Sequence, residues 1–306
     1  MPAIAVLIPC YNEENTIAKV VKDFATILPA AQVYVYDNNS SDKSADAARQ
    51  AGAIVRQEKL QGKGNVVRRA FSDVEADIYI LVDGDDTYDA AAAPRLVSAL
   101  LEGPYDMVNA SRVEKHTDAY RRGHRFGNRM ISSLVAAFFG TAFRDVLSGY
   151  RVFSRRYVKS FPALARGFEI ETELTVHALQ LRMPVNEVDT DYKERPEGSF
   201  SKLNTFRDGF RIIFTILHLL KEEKPLAFFG LISLVFAAVA LCLGIPVIEH
   251  YHATGLVPRL PTAILAMGLV ILSSLSAACG LILDSLTRAR LEAKRMHYLL
   301  FPAAGK

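Results

Sequence analysis

Tryptophan is absent from the 306 residues, and cysteine occurs three times. Cys10 lies in the soluble part, while Cys242 and Cys279 lie in long apolar runs. Neither a disulfide framework nor a zinc site can be assembled from them. No Gly-x-Gly-x-x-Gly loop follows the first strand; the turn there reads Pro9-Cys10-Tyr11-Asn12-Glu13. Dinucleotide binding of the Rossmann dehydrogenase kind thereby loses its main support. No signal segment precedes that strand, so the N-terminal part is expected to stay in the cytoplasm. Internal repeats, low-complexity tracts and nucleic-acid-binding motifs are also missing. Net charge is a mild +3, and the basic excess lies beside the apolar runs, where it can meet anionic headgroups.

Charge itself is missing from two stretches, Pro225 to Ile248 and Leu260 to Leu283. Each is long enough for roughly 36 Å of helix, which spans a bilayer with some tilt. Two such runs in succession argue against buried core helices. Arg207, Arg211, Lys221 and Lys224 precede the first run; Arg288, Arg290, Lys294 and Arg295 follow the second. The positive-inside rule then places both termini in the cytoplasm and the short Glu249-containing loop outside.

Before the apolar runs, strand-like and helix-like segments alternate. Ile4 to Ile8, Val33 to Tyr36, Ala53 to Arg56 and Ile78 to Val82 read as strands, with helical patterns between them. That alternation predicts an α/β, mostly parallel, doubly wound sheet. The fourth strand ends in Asp83-Gly84-Asp85-Asp86. Carboxylates crowded at a buried strand end are tolerable around a hard divalent cation, Mg²⁺ or Mn²⁺. The strand's carboxyl end is also where ligands of such sheets bind. An Asp/Gly turn capping the next helix is the competing reading, and for Asp86 the cap comes first.

The ordered set Ile8-Pro9-Cys10-Tyr11-Asn12-Glu13, Asp37 to Asp42, Gly62-Lys63-Gly64 and Asp83-Gly84-Asp85 resembles glycosyltransferase family 2 with its GT-A fold. Within that family the chain resembles the polyprenyl-phosphate sugar transferases, the dolichol-phosphate mannose synthase group. Ser111-Arg112, Asp145 to Arg151, Phe168 to Glu171 and Arg195 to Lys202 agree, and paired spans after the catalytic domain recur in that group. The resemblance implies a catalytic GT-A domain, placed at 1–203; helical spacing adds an amphipathic interfacial helix at 204–224, and the apolar runs a transmembrane hairpin at 225–284. A basic cytoplasmic tail at 285–306 completes the chain.

Site residues follow from the resemblance. Asp83 and Asp85 flank the metal and nucleotide, with Asp85 the closer ligand. Many relatives carry Gln two residues beyond; here Thr87 stands there. Pro9, Tyr11, Glu13 and Asp37 match positions that hold base and ribose. Asn38 takes the place of a second acid, which leaves uridine and guanosine both open. For Tyr11 the competing reading is packing under the helix, and for Asn38 and Asn39 an ordinary turn. Lys63, between two glycines, can approach a phosphate at a helix N-terminus or serve a simple turn. Arg195 and Lys202 belong to a loop that closes over the donor diphosphate in relatives, or to a basic loop touching headgroups.

A lipid phosphate is already an anion, so an acceptor of that kind needs cations more than a general base. Arg122, Arg125 and Arg129 share one helix face, beside Phe126, Met130, Leu134 and Phe138. In the family, arginines of this segment bind the lipid phosphate. Arg125 and Arg129 lead, with Arg112 and Ser201 in support. Asp145 belongs at the active site by resemblance; an ion pair with Arg151 is its rival. Glu169 and Glu171 at the head of an amphipathic helix suit either sugar binding or the helix dipole. Phe206, Phe210, Ile213, Phe214 and Leu217 form an interfacial stripe. Ser276 and Gly280 offer a small-residue face for a homo-oligomer or for lipid.

The expected protein is a membrane-anchored, metal-dependent, inverting transferase with a UDP- or GDP-hexose donor and a polyprenyl phosphate acceptor. A processive polysaccharide synthase of the same superfamily would carry a Gln-x-x-Arg-Trp motif, which a chain without tryptophan cannot have. A non-catalytic membrane scaffold with a decayed transferase domain is the rival from another class; the nearly full motif set speaks against decay.

Overall fold

The short apolar segments Ile4 to Ile8 and Ile78 to Val82 become the middle of one mostly parallel α/β sheet, as their composition requires. In a computed structural model, residues 2–114, 133, 143–167, 169–193, 214, 217–218 and 220–305 are described. Among them seven strands run in the order β3-β2-β1-β4-β6-β5-β7. They are β1 (Ile4–Cys10), β2 (Gln32–Asp37), β3 (Ile54–Gln57), β4 (Ile78–Leu81), β5 (Met107–Glu114), β6 (Arg151–Ser154) and β7 (Val185–Tyr192). β6 runs antiparallel to β4 and β5; the other pairings are parallel. β4 is buried along its whole length, because a central strand covered on both faces admits no polar alternation.

The strand order reverses between β1 and β4. β2 and β3 build outward on one side of β1, while β4 starts the other side. This is a topological switch point, where the turns leaving two parallel strands diverge and open a crevice. Register brings the turns together: Cys10 pairs with Asp37 and Leu7 with Leu81. β6 enters the same edge from the opposite direction, with Arg151 beside Leu81.

Helices cover the sheet. α1 (Ile17–Ile27) buries Ile17, Val20, Val21 and Phe24, the i, i+3, i+4, i+7 stripe of a surface helix. α2 (Ser44–Gln50), α3 (Lys63–Asp73), α4 (Ala93–Glu102) and α5 (Arg155–Ser160) follow. α6 (Ile170–Gln180) differs from the amphipathic helix expected: every residue from Ile170 to Ala178 is buried. Glu171, Glu173, Thr175 and His177 on it find partners inside the protein.

Two units divide the chain, Met1–Thr215 with Lys294–Lys306, and Ile216–Ala293. The second contains α7 (Pro225–Thr254) and most of α8 (Leu260–Leu299), both long and apolar enough to cross a membrane. α7 stops at Gly255, whose φ of +65° lets its N–H close on Tyr251 O. Ser273 donates to Ser233 O at 2.8 Å, and a side chain at Gly280 would press on Phe229 and Leu226. The small face of α8 therefore packs on α7 in the same chain. Its last turns belong to the first unit, where Tyr298 donates to Asp106 Oδ2 at 2.7 Å.

Candidate active site

The turns after β1 and β2 are clasped by their own polar residues. Asn12 adopts φ +52°, a left-handed conformation that Asn tolerates better than most residues. Its N–H donates to Ser40 Oγ at 3.0 Å, and its Oδ1 accepts from Ser41 N at 2.8 Å. Glu13 N donates to Ser44 Oγ (2.7 Å) and Lys43 N to Glu14 Oε2 (3.0 Å). Asp37 is buried at the end of β2, and Asn38 N donates to Cys10 O at 2.8 Å. Pro9 is half-buried in β1. Tyr11 is 38% exposed, so it does not pack under the helix. Asn38 is more than an ordinary turn residue. Its amide donates to Glu58 O and Leu60 O and accepts from Gly62 N at 2.7 Å, stapling this turn to the loop after β3.

Across the switch point, Asp83 and Asp85 flank Gly84 just beyond β4. Thr16, at the head of α1, donates its hydroxyl to Gly84 O at 2.7 Å, tying this turn to the one after β1. A side chain at Gly84 would crowd Ile17 and Ile8 at 3.2 and 3.3 Å. Asp85 is 4% exposed. Its Oδ1 accepts from the Thr87 hydroxyl at 2.6 Å and from Thr87 N at 3.2 Å. The residue that replaces the relatives' Gln thus orients the carboxylate. Asp86 corrects the sequence expectation: it is not a cap. It sits at φ +57° and pairs with Lys19 at 2.8 Å, and the cap of the following turn is Asp89, which accepts from Ala91 N.

Asp83 lies against Lys63, Nζ to Oδ1 being 2.5 Å, and the same ammonium is 2.5 Å from Glu171 Oε1. Burial works against the Lys63 charge, but Asp83 and Glu171 outweigh it and hold its pKa above the ordinary lysine value. The neighbouring glycines explain how a helix start comes so close. Gly62 has φ +129°, and a side chain at Gly62 or Gly64 would run into the backbone of Arg166 and Ala165. The Gly-Lys-Gly motif thus brings α3 against the segment that leads into α6. Gly149 has a parallel job, because a Cβ there would overlap the Asp83 carboxylate. Its N–H donates to Tyr88 Oη at 2.8 Å.

Asp145 has an arginine partner, but not Arg151. Arg112 at the end of β5 grips it with a fork, Nε to Oδ2 2.7 Å and Nη2 to Oδ1 2.8 Å, and lies over the Tyr192 ring. Arg151 is buried and donates instead to Ser148 O, Val146 O and Thr175 Oγ1; burial lowers its pKa. Glu187 on β7 accepts from Asp145 N, Asn109 Nδ2 and Arg144 N, fixing the turn that carries Asp145. Glu169 accepts from Arg166 N and Gly167 N, which is a local turn bond.

The structure thus gathers Pro9, Tyr11, Glu13, Asp37, Lys63, Asp83, Asp85, Arg112 and Asp145 along the carboxyl edge of the sheet. Arg122, Arg125, Arg129, Arg195, Ser201 and Lys202 lie outside the described residues, as do Phe206, Phe210 and Ile213. Sequence reasoning missed Thr16, Tyr88 and Glu187. A hydroxyl at a helix start pointed to Thr16; nothing local distinguished the other two.

Comparison with known proteins agrees with this geometry. The profile described as Glycosyl transferase family 2 matches residues 5–161. The glycosyltransferase AglJ of Haloferax volcanii is 37% identical over 252 residues, covering 82% of each chain. The dolichyl-phosphate hexose transferase of the same organism is 27% identical and spans 72% of this chain and 95% of its own. Glucosyl-3-phosphoglycerate synthase from Mycobacterium tuberculosis, solved with Mn²⁺ and UDP-glucose, shares the fold with a TM-score of 0.59. It is 23% identical, over 71% of this chain and 79% of its own. The family match extends from β1 past the Asp83-Gly84-Asp85 turn to the end of α5, and the chain belongs to glycosyltransferase family 2.

Proposed function

We propose that this glycosyltransferase moves one hexose from a UDP- or GDP-sugar to a polyprenyl phosphate at the cytoplasmic face of a membrane, inverting the anomeric centre. One observation carries the reading. Asp83 and Asp85 meet the clasped turns of β1 and β2 at the switch point, in a chain that continues into two long apolar helices. A soluble donor and a lipid acceptor both have a place in such a chain. The names of two relatives support the acceptor class: a dolichyl-phosphate hexose transferase and an undecaprenyl-phosphate 4-deoxy-4-formamido-L-arabinose transferase.

The donor set fits a divalent cation. Asp83 and Asp85 offer hard carboxylate oxygens, and Thr87 holds one of them in place. Among the described residues no third His, Cys, Asp or Glu joins them. That pattern suits Mg²⁺ or Mn²⁺, which take one or two carboxylates and complete their shell with phosphate oxygens and water. The ion, when bound, neutralises the leaving diphosphate. Asp37 and Glu13 accept from the nucleoside, and Tyr11 stands open beside it. Arg195 and Lys202 close on the diphosphate. Arg125 and Arg129, with Arg122, Arg112 and Ser201, hold the lipid phosphate beside the anomeric carbon. Arg112 is itself aimed by Asp145. The apolar helices anchor the enzyme in the bilayer.

The test is to incubate membranes containing the enzyme with radiolabelled UDP- and GDP-sugars and undecaprenyl phosphate, then extract the lipid. One sugar should enter the lipid fraction in a Mn²⁺- or Mg²⁺-dependent way. Label confined to water-soluble or polymeric products contradicts the reading.

A further inference from the structure

Lys63 is shared evenly between Asp83 and Glu171, but the three side chains differ in exposure. Those of Lys63 and Glu171 are each 8% exposed, while that of Asp83 is 30% exposed. The buried pair therefore stands behind the one carboxylate that opens toward the crevice. Its geometry is set by the fold rather than by a flexible surface lysine. Gly62 and Gly64 lock the start of α3 against the backbone of Arg166 and Ala165. On its other side, Asp83 is seated against Gly149.

Charge gives this arrangement a purpose. Lys63 alone would neutralise Asp83 and compete with any cation for it. With Glu171 drawing on the same ammonium, the three groups keep a formal charge of −1, and Asp85 brings the end of β4 to −2. That is the complement of a divalent ion. Among the described residues Glu171 Oε2 is buried without a hydrogen-bond partner, and Lys63 is the one charged donor to Glu171. The carboxylate is therefore committed to Lys63.

We infer that Glu171 is a positioning residue: it acts through Lys63 to keep Asp83 available to the metal and donor diphosphate. This rests on the metal-dependent nucleotide-sugar reading above and adds to it a residue that touches neither ligand. Neutralising Glu171 leaves the whole ammonium to Asp83, so a divalent cation must compete harder.

The experiment titrates Mn²⁺ at fixed UDP or GDP with full-length protein in detergent and follows nucleotide binding by calorimetry. In Glu171→Gln, which keeps shape, the Mn²⁺ concentration for half-maximal nucleotide binding should rise about tenfold, the size of a shift caused by one nearby charge. Metal-free nucleotide affinity should stay the same. The double variant Lys63→Met/Glu171→Gln removes the competitor and should bring the Mn²⁺ requirement back toward that of wild type. Glu171→Asp, which keeps the charge on a shorter stem, should shift the requirement less than Gln and serves as the probe if Gln folds poorly.

An unchanged Mn²⁺ requirement in both single variants overturns the inference. So does a raised sugar-donor KM at saturating Mn²⁺ with no shift in metal requirement, since Glu171 would then touch the sugar. Persistence of the defect in the double variant overturns the route through Lys63. Wild-type protein that binds neither nucleotide at any Mn²⁺ concentration refutes the functional reading itself, and that result appears before any variant is compared.

Discussion

Arg112 and Asp145 face each other as fork and carboxylate, with paired contacts of 2.7 and 2.8 Å and a third from Arg112 N at 3.2 Å. The planar guanidinium matches both oxygens at once. Asp145→Asn leaves that cation without its counter-charge, and breaking a well-buried pair costs about 3–5 kcal/mol. The Arg112 side chain is 23% exposed, so solvent screening brings the expected loss down to about 2 kcal/mol. Thermal melts should show a drop of several degrees, and Arg112→Lys should not rescue it, because an ammonium has no fork. Equal melting of Asp145→Asn and wild type would deny the pair its structural weight.

Gly149→Ala is a one-carbon test of the acidic centre. The new Cβ would overlap the Asp83 carboxylate, whose Cγ would lie 2.8 Å away. Asp83 must then swing off its seat. We expect transfer to fall by about a hundredfold or more, the usual result of an ångström-scale misplacement. Stability should change far less than activity, and melts beside transfer rates read the two separately. Near-wild-type activity would mean that Asp83 does not need this position.

The central strands and the acidic turn were legible because their signals are local. Ile4 to Ile8 and Ile78 to Val82 are apolar runs that can only be buried, and a strand ending in Asp-Gly-Asp marks its own carboxyl end. The pairings were not legible. Lys63 and Glu171 are 108 residues apart, and Arg112 and Asp145 are 33 apart; no periodicity links them. Arg151 is the rival partner for Asp145 only because the two are close in sequence, and it points into the protein toward α6. Asp86 resembled a cap until Lys19, 67 residues away, claimed it. α6 misled for the same reason. Glu171, Glu173 and His177 resemble a wet face, but Lys63, the N–H groups of Leu164 and Ala165, and Ser160 come from elsewhere to meet them.

His177 makes the fold sensitive to acid. It is buried between the Tyr157 and Phe161 rings, with Nε2 3.1 Å from Ser160 Oγ and Nδ1 without a partner among the described residues. Burial, with Lys294 assisting, pushes its pKa down to about 3. The unfolded chain takes up its proton near pH 6.5, well before the folded one does. The contribution of His177 is therefore complete above about pH 6.5 and is lost as pH falls toward 3, by about 1.4 kcal/mol at pH 5.5. His177→Phe should flatten the decline of Tm between pH 7.5 and 5.5. An identical decline in both proteins would contradict the burial argument.

The C-terminal segment should matter to the first unit. Asp106 is fully buried and accepts from Ser154 Oγ (2.7 Å), from Arg156 through both Nε and Nη2, and from Tyr298 Oη (2.7 Å). Arg156 also lies over the Tyr298 ring, and Arg155 over Phe301. Tyr298→Phe removes one hydrogen bond to a charged acceptor, a loss of about 1.5–3 kcal/mol. Truncation after Ala293 removes the aromatic contacts too and should destabilise more. Limited proteolysis of the first unit ranks wild type, Tyr298→Phe and the truncation; equal resistance in all three would remove the segment from the fold's support.

The central claim is the transfer of a single sugar to a lipid phosphate by a centre built on Asp83 and Asp85. Mass measurement of the lipid extracted after reaction with undecaprenyl phosphate and the accepted nucleotide sugar tests it most directly. The account predicts a product heavier than undecaprenyl phosphate by one hexose residue, formed by wild type with Mn²⁺ or Mg²⁺ and lost in a folded Asp85→Ala variant. A ladder of added sugars, or full product from Asp85→Ala, would contradict it.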